Sequence, residues 1–290
     1  MTNSPLKLWT ALITPFLKGA VDYESFHTLM KAQKQAGNGV LLLGSTGEAF
    51  SISGQERKHI IREMIGGQDT GNPIMVGATG LLIEDVLEWI SYCNSYPLTG
   101  YLCAVPPYMK PGIEGQYGWF KRLLDAAAHP VMLYNNPSRC GTPLHPETLR
   151  KLRGHPNLWG LKDSSGSPDI FAQFQQIAPE LLFYVGDDSQ LLPYAPLHPN
   201  GLVSVMANAW PDATRSYVDL CLSGKSPHLS IWEVFSKASN PLPIKALCYT
   251  LGWIRSPETR LPLDHHDFSD YALIESALKF MKEWLIEIKY

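Results

Sequence analysis

The chain has 290 residues, 45% of them hydrophobic, enough to bury the core of one large domain. A formal net charge of −3 provides no basic surplus for a phosphate backbone, which argues against a nucleic-acid partner. No run approaches the roughly 18 uninterrupted apolar residues of a membrane span. The N-terminal stretch, broken by Thr10, Thr14 and Pro15, lacks the charged start and long apolar core of a signal peptide. The sequence therefore reads as soluble and cytoplasmic.

In chain order, short apolar runs rich in β-branched residues alternate with helix-like segments. Strands are predicted over 8–14, 39–44, 73–78, 100–105, 131–135, 158–163, 182–187 and 201–205. Helices are predicted between them over 23–35, 54–65, 83–95, 114–128, 146–153, 168–177 and 190–195. The strands are continuous apolar runs, as parallel strands buried on both faces should be. Eightfold strand–helix repetition points to a (β/α)8 barrel. No G-x-G-x-x-G follows the first strand, which argues against a dinucleotide-binding sheet. Beyond Val205 the segments 211–222, 230–236, 243–251 and 268–288 read as helices without strands. The expected organisation is a barrel over residues 1–224 that carries the active site, followed by a C-terminal helical region over 225–290.

Cys93, Cys103, Cys140, Cys221 and Cys248 are odd in number and form no C-x-x-C pair. Neither a disulfide framework nor a zinc site is expected from them; they read as buried thiols. Asp264-His265-His266-Asp267 has the residue types of a metal site, but it lies outside the predicted barrel, and adjacent histidines rarely share one ion. Asp187-Asp188 could hold magnesium, but no histidine ends a nearby strand. No metal or cofactor is expected.

Barrels of this kind carry their chemistry at the C-terminal ends of the strands. Here those ends read Gly44-Ser45-Thr46-Gly47-Glu48, Pro107-Tyr108, Tyr134 through Arg139, Lys162-Asp163 and Gly186-Asp187-Asp188. Lys162 closes an apolar strand, where partial desolvation would favour a free, nucleophilic amine. It could equally be a structural lysine paired with Asp163 or Glu48. Tyr134, on the preceding strand, could relay protons or be a core tyrosine with one hydrogen-bond partner. Ser45-Thr46-Gly47 could cradle a carboxylate, and Arg139 could grip a second one with its planar fork or lie free in solvent.

Taken in order, these segments, together with Gly201-Leu202-Val203-Ser204-Val205 and Asn240-Pro241-Leu242-Pro243-Ile244-Lys245, resemble the dihydrodipicolinate synthase and N-acetylneuraminate lyase family. The resemblance runs from about Leu8 to about Leu263. It implies that Lys162 forms a Schiff base with pyruvate. Tyr134 would shuttle protons in a relay with Ser45 and with Tyr108 donated across a subunit interface. Thr46, with Gly47 and the adjoining N–H groups, would bind the pyruvate carboxylate, while Gly186 and Val203 would line the pocket through their backbone. The resemblance also implies a homotetramer built from dimers.

Pro137-Ser138-Arg139-Cys140-Gly141 resembles the synthase branch, in which Arg139 would bind the carboxylate of aspartate semialdehyde in lysine and diaminopimelate biosynthesis. A sialic acid or keto-deoxy-sugar-acid lyase is the alternative enzyme, and a barrel that binds a 2-oxo acid without turnover is a third reading. The sequence departs from the family pattern at Ser45 (often threonine), Asn136 (usually valine), Cys140 (often threonine) and Asp163-Ser164, where Glu-Ala is commoner. Ala49, Phe50, Gly54, Leu81 and Pro107 stand where lysine-inhibited members place polar groups. Apolar side chains there cannot satisfy bound lysine, so feedback inhibition is expected to be weak or absent.

Overall fold

The computed structural model describes residues 5–66 and 71–287. Eight parallel strands close into a barrel: β1 Leu8–Ala11, β2 Gly39–Leu42, β3 Ile74–Gly77, β4 Gly100–Ala104, β5 Val131–Asn135, β6 Leu158–Asp163, β7 Leu182–Val185 and β8 Gly201–Ser204. Neighbours in the barrel are neighbours in sequence, and β8 closes it by pairing with β1, Leu8 opposite Leu202. β1 to β5 and β8 are buried along their whole length. That explains the continuous apolar runs: one face packs the barrel interior and the other meets the surrounding helices.

The outer layer is α1 Tyr23–Gln35, α2 Gly54–Ile65, α3 Ile83–Cys93, α4 Ile113–Ala126, α5 Pro146–Leu152, α6 Pro168–Ile177, the single turn α7 Leu191–Tyr194, and α8 Pro211–Leu222. The C-terminal helices follow: α9 Trp232–Ser236, α10 Leu242–Thr250 and α11 Tyr271–Glu287. Among the described residues no helix is long and apolar enough to cross a membrane. All five cysteines are free and buried.

Local chemistry sets the helix starts and ties the C-terminal region to the barrel. Asp22 caps α1, and Ser53 and Glu56 form a reciprocal capping box on α2. Both acids are also gripped from the C-terminal region: Arg255 Nε donates to Asp22 at 2.8 Å and Arg260 Nη2 to Glu56 at 2.6 Å. Two helix caps thus anchor residues 255–260 over the barrel.

Two strand ends differ from the sequence reading for identifiable reasons. The first strand stops at Ala11 because Ile13 and Thr14 bond elsewhere, Ile13 N–H to Asn208 and the Thr14 hydroxyl to the Gly47 carbonyl. The seventh stops at Val185 because Asp187 caps the turn Asp188–Gln190. The last helix begins at Tyr271 rather than at 268, and the predicted end at Ile288 lies outside the described residues. An antiparallel pair of two-residue strands, Phe16–Leu17 and Ala20–Val21, was not foreseen; its turn is Lys18-Gly19, both at positive φ.

Candidate active site

Parallel register brings the reactive groups together. A shift between Val131 and Met132 sets β5 against β6 so that Tyr134 stands opposite Lys162. Two adjoining cavities of about 330 and 340 Å³ open at the C-terminal ends of the strands and share Ser45, Thr46, Tyr134, Arg139 and Lys162 in their walls. The first runs over apolar residues of β2 to β4, and the second reaches Ser164, Gly186 and Asp187.

Lys162 is only 5% exposed. Its Nζ lies 4.1 Å from the centroid of the Tyr134 ring, and among the described residues it makes no ion pair. The two carboxylates that could have claimed it are committed elsewhere. Glu48 is buried against Lys245 and accepts from the Arg260 N–H at 3.0 Å. Asp163 accepts from Asn135 at 2.6 Å, Ser165 at 2.7 Å and Tyr194 at 3.2 Å. The salt-bridged reading of Lys162 is therefore not the arrangement adopted.

Gly186 is required where it stands. A methyl group there would lie 2.1 Å from Ser164 Oγ and 2.6 Å from Lys162 Cε, so the lysine side chain runs over the space that glycine leaves empty. Thr46 is buried, and its hydroxyl accepts from Asn240 Nδ2 at 2.9 Å. Arg139 is exposed at the rim and donates to the Asn240 carbonyl at 3.0 Å. Asn240 thus links both sides of the mouth, a role that the sequence reading did not give it.

Other expected site residues fall differently. Gly47 is not part of either cavity wall; it turns inward, and its carbonyl accepts from Thr14 at 2.8 Å. Val203 is fully buried within β8, and Val205, one residue past the strand end, lines the cavity instead. Ser45 is exposed in both cavities but does not hydrogen-bond to Tyr134. The Tyr134 hydroxyl instead accepts from Asn136 Nδ2 at 2.6 Å and Ser164 Oγ at 3.3 Å. Tyr108 is 86% exposed, at φ 72°, and lies outside both cavity walls. A Ser45–Tyr134–Tyr108 relay is thus not assembled within one chain.

Asp188 is a structural acid. It accepts from Ser204 Oγ and from the Val205 and Met206 N–H groups, closing the turn after β8. Burial pushes its carboxyl up to about 6 against those bonds. Cys140 lines the first cavity, and burial pushes its thiol up to about 11, which leaves it a space-filling group rather than a nucleophile. Asp264, His265 and His266 lie within 4.8 Å of one another, but both imidazoles face one carboxylate oxygen, which also caps the turn that carries them.

Fold and site together define a class: (β/α)8 barrels with a lysine amine, free of any carboxylate, at the end of the sixth strand. The chain belongs to the Dihydrodipicolinate synthetase family, whose profile matches residues 4–280. It is 41% identical over 283 residues to the 4-hydroxy-tetrahydrodipicolinate synthase of Wolbachia pipientis wMel, covering 96% of each chain. It is 40% identical over 284 residues to that of Chlamydia caviae, covering 96% of this chain and 97% of the relative. The solved structure of the 4-hydroxy-tetrahydrodipicolinate synthase from the methanotroph Methylacidiphilum fumariolicum SolV matches it with a TM-score of 0.91 at 26% identity, covering 98% of both chains.

Proposed function

We propose that this protein is a lyase of the class I aldolase type that condenses pyruvate, held as a Schiff base on Lys162, with L-aspartate 4-semialdehyde to form 4-hydroxy-tetrahydrodipicolinate for lysine and diaminopimelate synthesis. The observation that carries this reading is a buried lysine without a carboxylate partner, set against Tyr134 in a cavity that Arg139 overlooks. The names of its relatives support the same choice of substrates.

In this mechanism the Lys162 amine attacks C2 of pyruvate, and the carbinolamine loses water to give an iminium ion. Loss of a methyl proton sends its electron pair toward the iminium nitrogen, forming an enamine. The enamine carbon then bonds to the aldehyde carbon of the semialdehyde. The amino group of the bound product attacks the imine carbon, closing the ring and releasing Lys162. Tyr134 carries protons as the carbinolamine forms and loses water, Thr46 receives the pyruvate carboxylate, and Arg139 receives the semialdehyde carboxylate. Tyr108 completes the relay from a second subunit. In support, Tyr108 and the adjoining apolar Met109 are both exposed, surface that association would cover. A homotetramer of dimers fits this reading.

The test is turnover of pyruvate plus aspartate semialdehyde, coupled to dihydrodipicolinate reductase and read as NADPH oxidation. The wild type should turn over, and Lys162→Ala should neither turn over nor be trapped by borohydride with pyruvate. A folded wild type without activity on this pair refutes the choice of acceptor. Absence of trapping refutes the imine itself.

A further inference from the structure

The phenol of Tyr134 is held by two groups that the relay does not use. Among the described residues its hydrogen-bond partners are Asn136 Nδ2 at 2.6 Å and Ser164 Oγ at 3.3 Å. Both are positions where the sequence departs from the family pattern it resembles, valine and alanine being usual there.

Asn136 is buried, and its other end fixes which way it faces. Its Oδ1 accepts from the Arg139 N–H at 3.3 Å and from Ser138 Oγ at 2.8 Å, capping the one-turn helix Pro137–Cys140. A backbone N–H only donates, so the atom that faces it is the amide oxygen. The atom that faces Tyr134 is therefore the amide nitrogen, an assignment made by the network rather than by the shape of the side chain. That nitrogen offers hydrogens and no lone pair, so the phenol oxygen must accept. Its own hydrogen is turned away from Asn136, and the oxygen that would carry negative charge after proton loss already has an N–H donor in place.

From this geometry we propose that Asn136, assisted by Ser164, is a positioning residue for proton transfer by Tyr134. It sets the direction in which the phenol donates. It also stabilises the phenolate left when the O–H bond breaks and the proton passes to the departing hydroxyl of the carbinolamine, which leaves as water. The inference rests on the reading that Lys162 forms an imine with pyruvate. It gives the phenol a fixed partner inside its own subunit, whereas Ser45 and Tyr108 stand unbonded to it in the single chain.

The discriminating variant is Asn136→Asp. It retains the oxygen that caps Arg139 and loses the N–H donor, so the local fold is kept while the phenol meets an acceptor. A hydrogen bond to a charged oxygen is worth enough that its loss should lower kcat roughly ten- to hundredfold. KM for pyruvate should stay within about twofold of wild type, because the lost contact acts in proton transfer rather than in binding. Position 136 is buried, which raises a carboxyl placed there above its ordinary value, and the protonated form regains an O–H donor, so the ratio of variant to wild-type turnover should rise as pH is lowered from about 8 to about 5. Taking the ratio cancels effects of acid on the rest of the site. Asn136→Val, which has nothing to titrate, should show the loss without the acid recovery. Ser164→Ala should show a smaller loss in kcat.

Two outcomes overturn the inference: Asn136→Asp keeping wild-type kcat, or losing activity equally at every pH in step with Asn136→Val. The second would mean that the residue serves only the fold. Borohydride trapping of pyruvate by the wild type separates the layers. If the wild type traps and turns over but Asn136→Asp behaves in either of those ways, only the positioning role fails. If the wild type does not trap, the imine reading fails and takes this inference with it.

Discussion

Replacing Gly186 by alanine puts a methyl group where the Lys162 side chain runs. The new Cβ would lie 2.6 Å from Lys162 Cε and 2.1 Å from Ser164 Oγ, where ordinary contact begins at 3.4 Å. The serine hydroxyl can rotate aside. The lysine cannot do so freely, because its Nζ is seated over the Tyr134 ring and only 5% of the residue is exposed. It must retreat by about 0.8 Å, or the Gly186 backbone, which donates to the Asp163 carbonyl at 2.7 Å, must give by a similar amount; crowding of this kind costs about 1–3 kcal/mol of stability. The effect on chemistry should be larger than the effect on the fold. Misplacing a reacting atom by about 1 Å can cost on the order of a hundredfold in rate. The assay is single-turnover trapping of pyruvate on Lys162 by borohydride, followed by mass spectrometry, with the thermal midpoint measured alongside. Gly186→Ala should remain folded, with a midpoint a few degrees lower, and trap roughly a hundredfold more slowly. Adding Ser164→Ala should recover part of the stability but not the trapping rate. Wild-type trapping in Gly186→Ala would refute the argument, since it would show that the amine tolerates displacement.

The buried Glu48–Lys245 pair should behave as an obligate couple. Lys245→Met leaves a buried carboxylate unmatched and should cost about 3–5 kcal/mol in denaturant unfolding, while Lys245→Met with Glu48→Gln should recover most of that; an additive double variant would refute the coupling. Stability should also depend on pH through acids shifted in opposite directions. Hydrogen bonds from Arg260 hold the Glu56 carboxyl down to about 2, so its contribution is present above the unfolded value of 4.5 and is lost as pH falls toward 2. Asp188 is raised to about 6 from 3.8, so its ionisation weakens the fold as pH rises through 6, and acidification toward 4 relieves that. Urea unfolding across this range should show Glu56→Gln flattening the acid loss, and an unchanged slope would refute the assignment. Finally, if Tyr108 acts in the neighbouring subunit, mixing Lys162→Ala with Tyr108→Phe chains should restore roughly a quarter of wild-type activity, because a mixed dimer regains one intact site. Activity no higher than the two parents would place Tyr108 outside the relay.

Much of the fold was legible because its physics is local. Helices over 23–35, 54–65, 168–177 and 211–222 match the observed α1, α2, α6 and α8 residue for residue, and each begins at a residue with a plain reason to begin there. Asp22, Ser53 and Ser167 supply capping oxygens, and Pro211 supplies a preset φ. Strand ends were read too long wherever a polar residue left the ladder for a distant partner. Thr14 turning to Gly47 and Asp188 turning to Ser204 are contacts between the ends of neighbouring strands that no window of sequence contains. The same limit applied at the site. Lys162 stood out because a charge at the end of an apolar strand is conspicuous on its own. Asn136 and Ser164 were noted only as departures from the family pattern and Asn240 only within a matching segment, and none was given a role, because each acts through a contact that the sequence does not display: the Tyr134 hydroxyl for the first two and Thr46 for the third.

The deeper regularity is how the acids at the mouth of the barrel are allotted. Glu48, Asp163 and Asp188 are all buried there, and each is engaged by donors other than Lys162: Glu48 by Lys245, Asp163 by Asn135, Ser165 and Tyr194, and Asp188 by Ser204 and two N–H groups. What faces the Lys162 amine is the Tyr134 ring. The difference matters for a nucleophile. An aromatic face stabilises an ammonium by about 0.5–2 kcal/mol, whereas a carboxylate at 4 Å would do so by about 4 kcal/mol at an effective dielectric of 20. The ring therefore holds the charged form less tightly than a carboxylate would, while still excluding water and fixing the side chain. A lysine meant only to stabilise the barrel would gain from taking one of the three neighbouring acids. In this fold every one of them is used to hold backbone, another cation or neighbouring side chains, which leaves the amine beside a phenol, as the proposed imine chemistry requires.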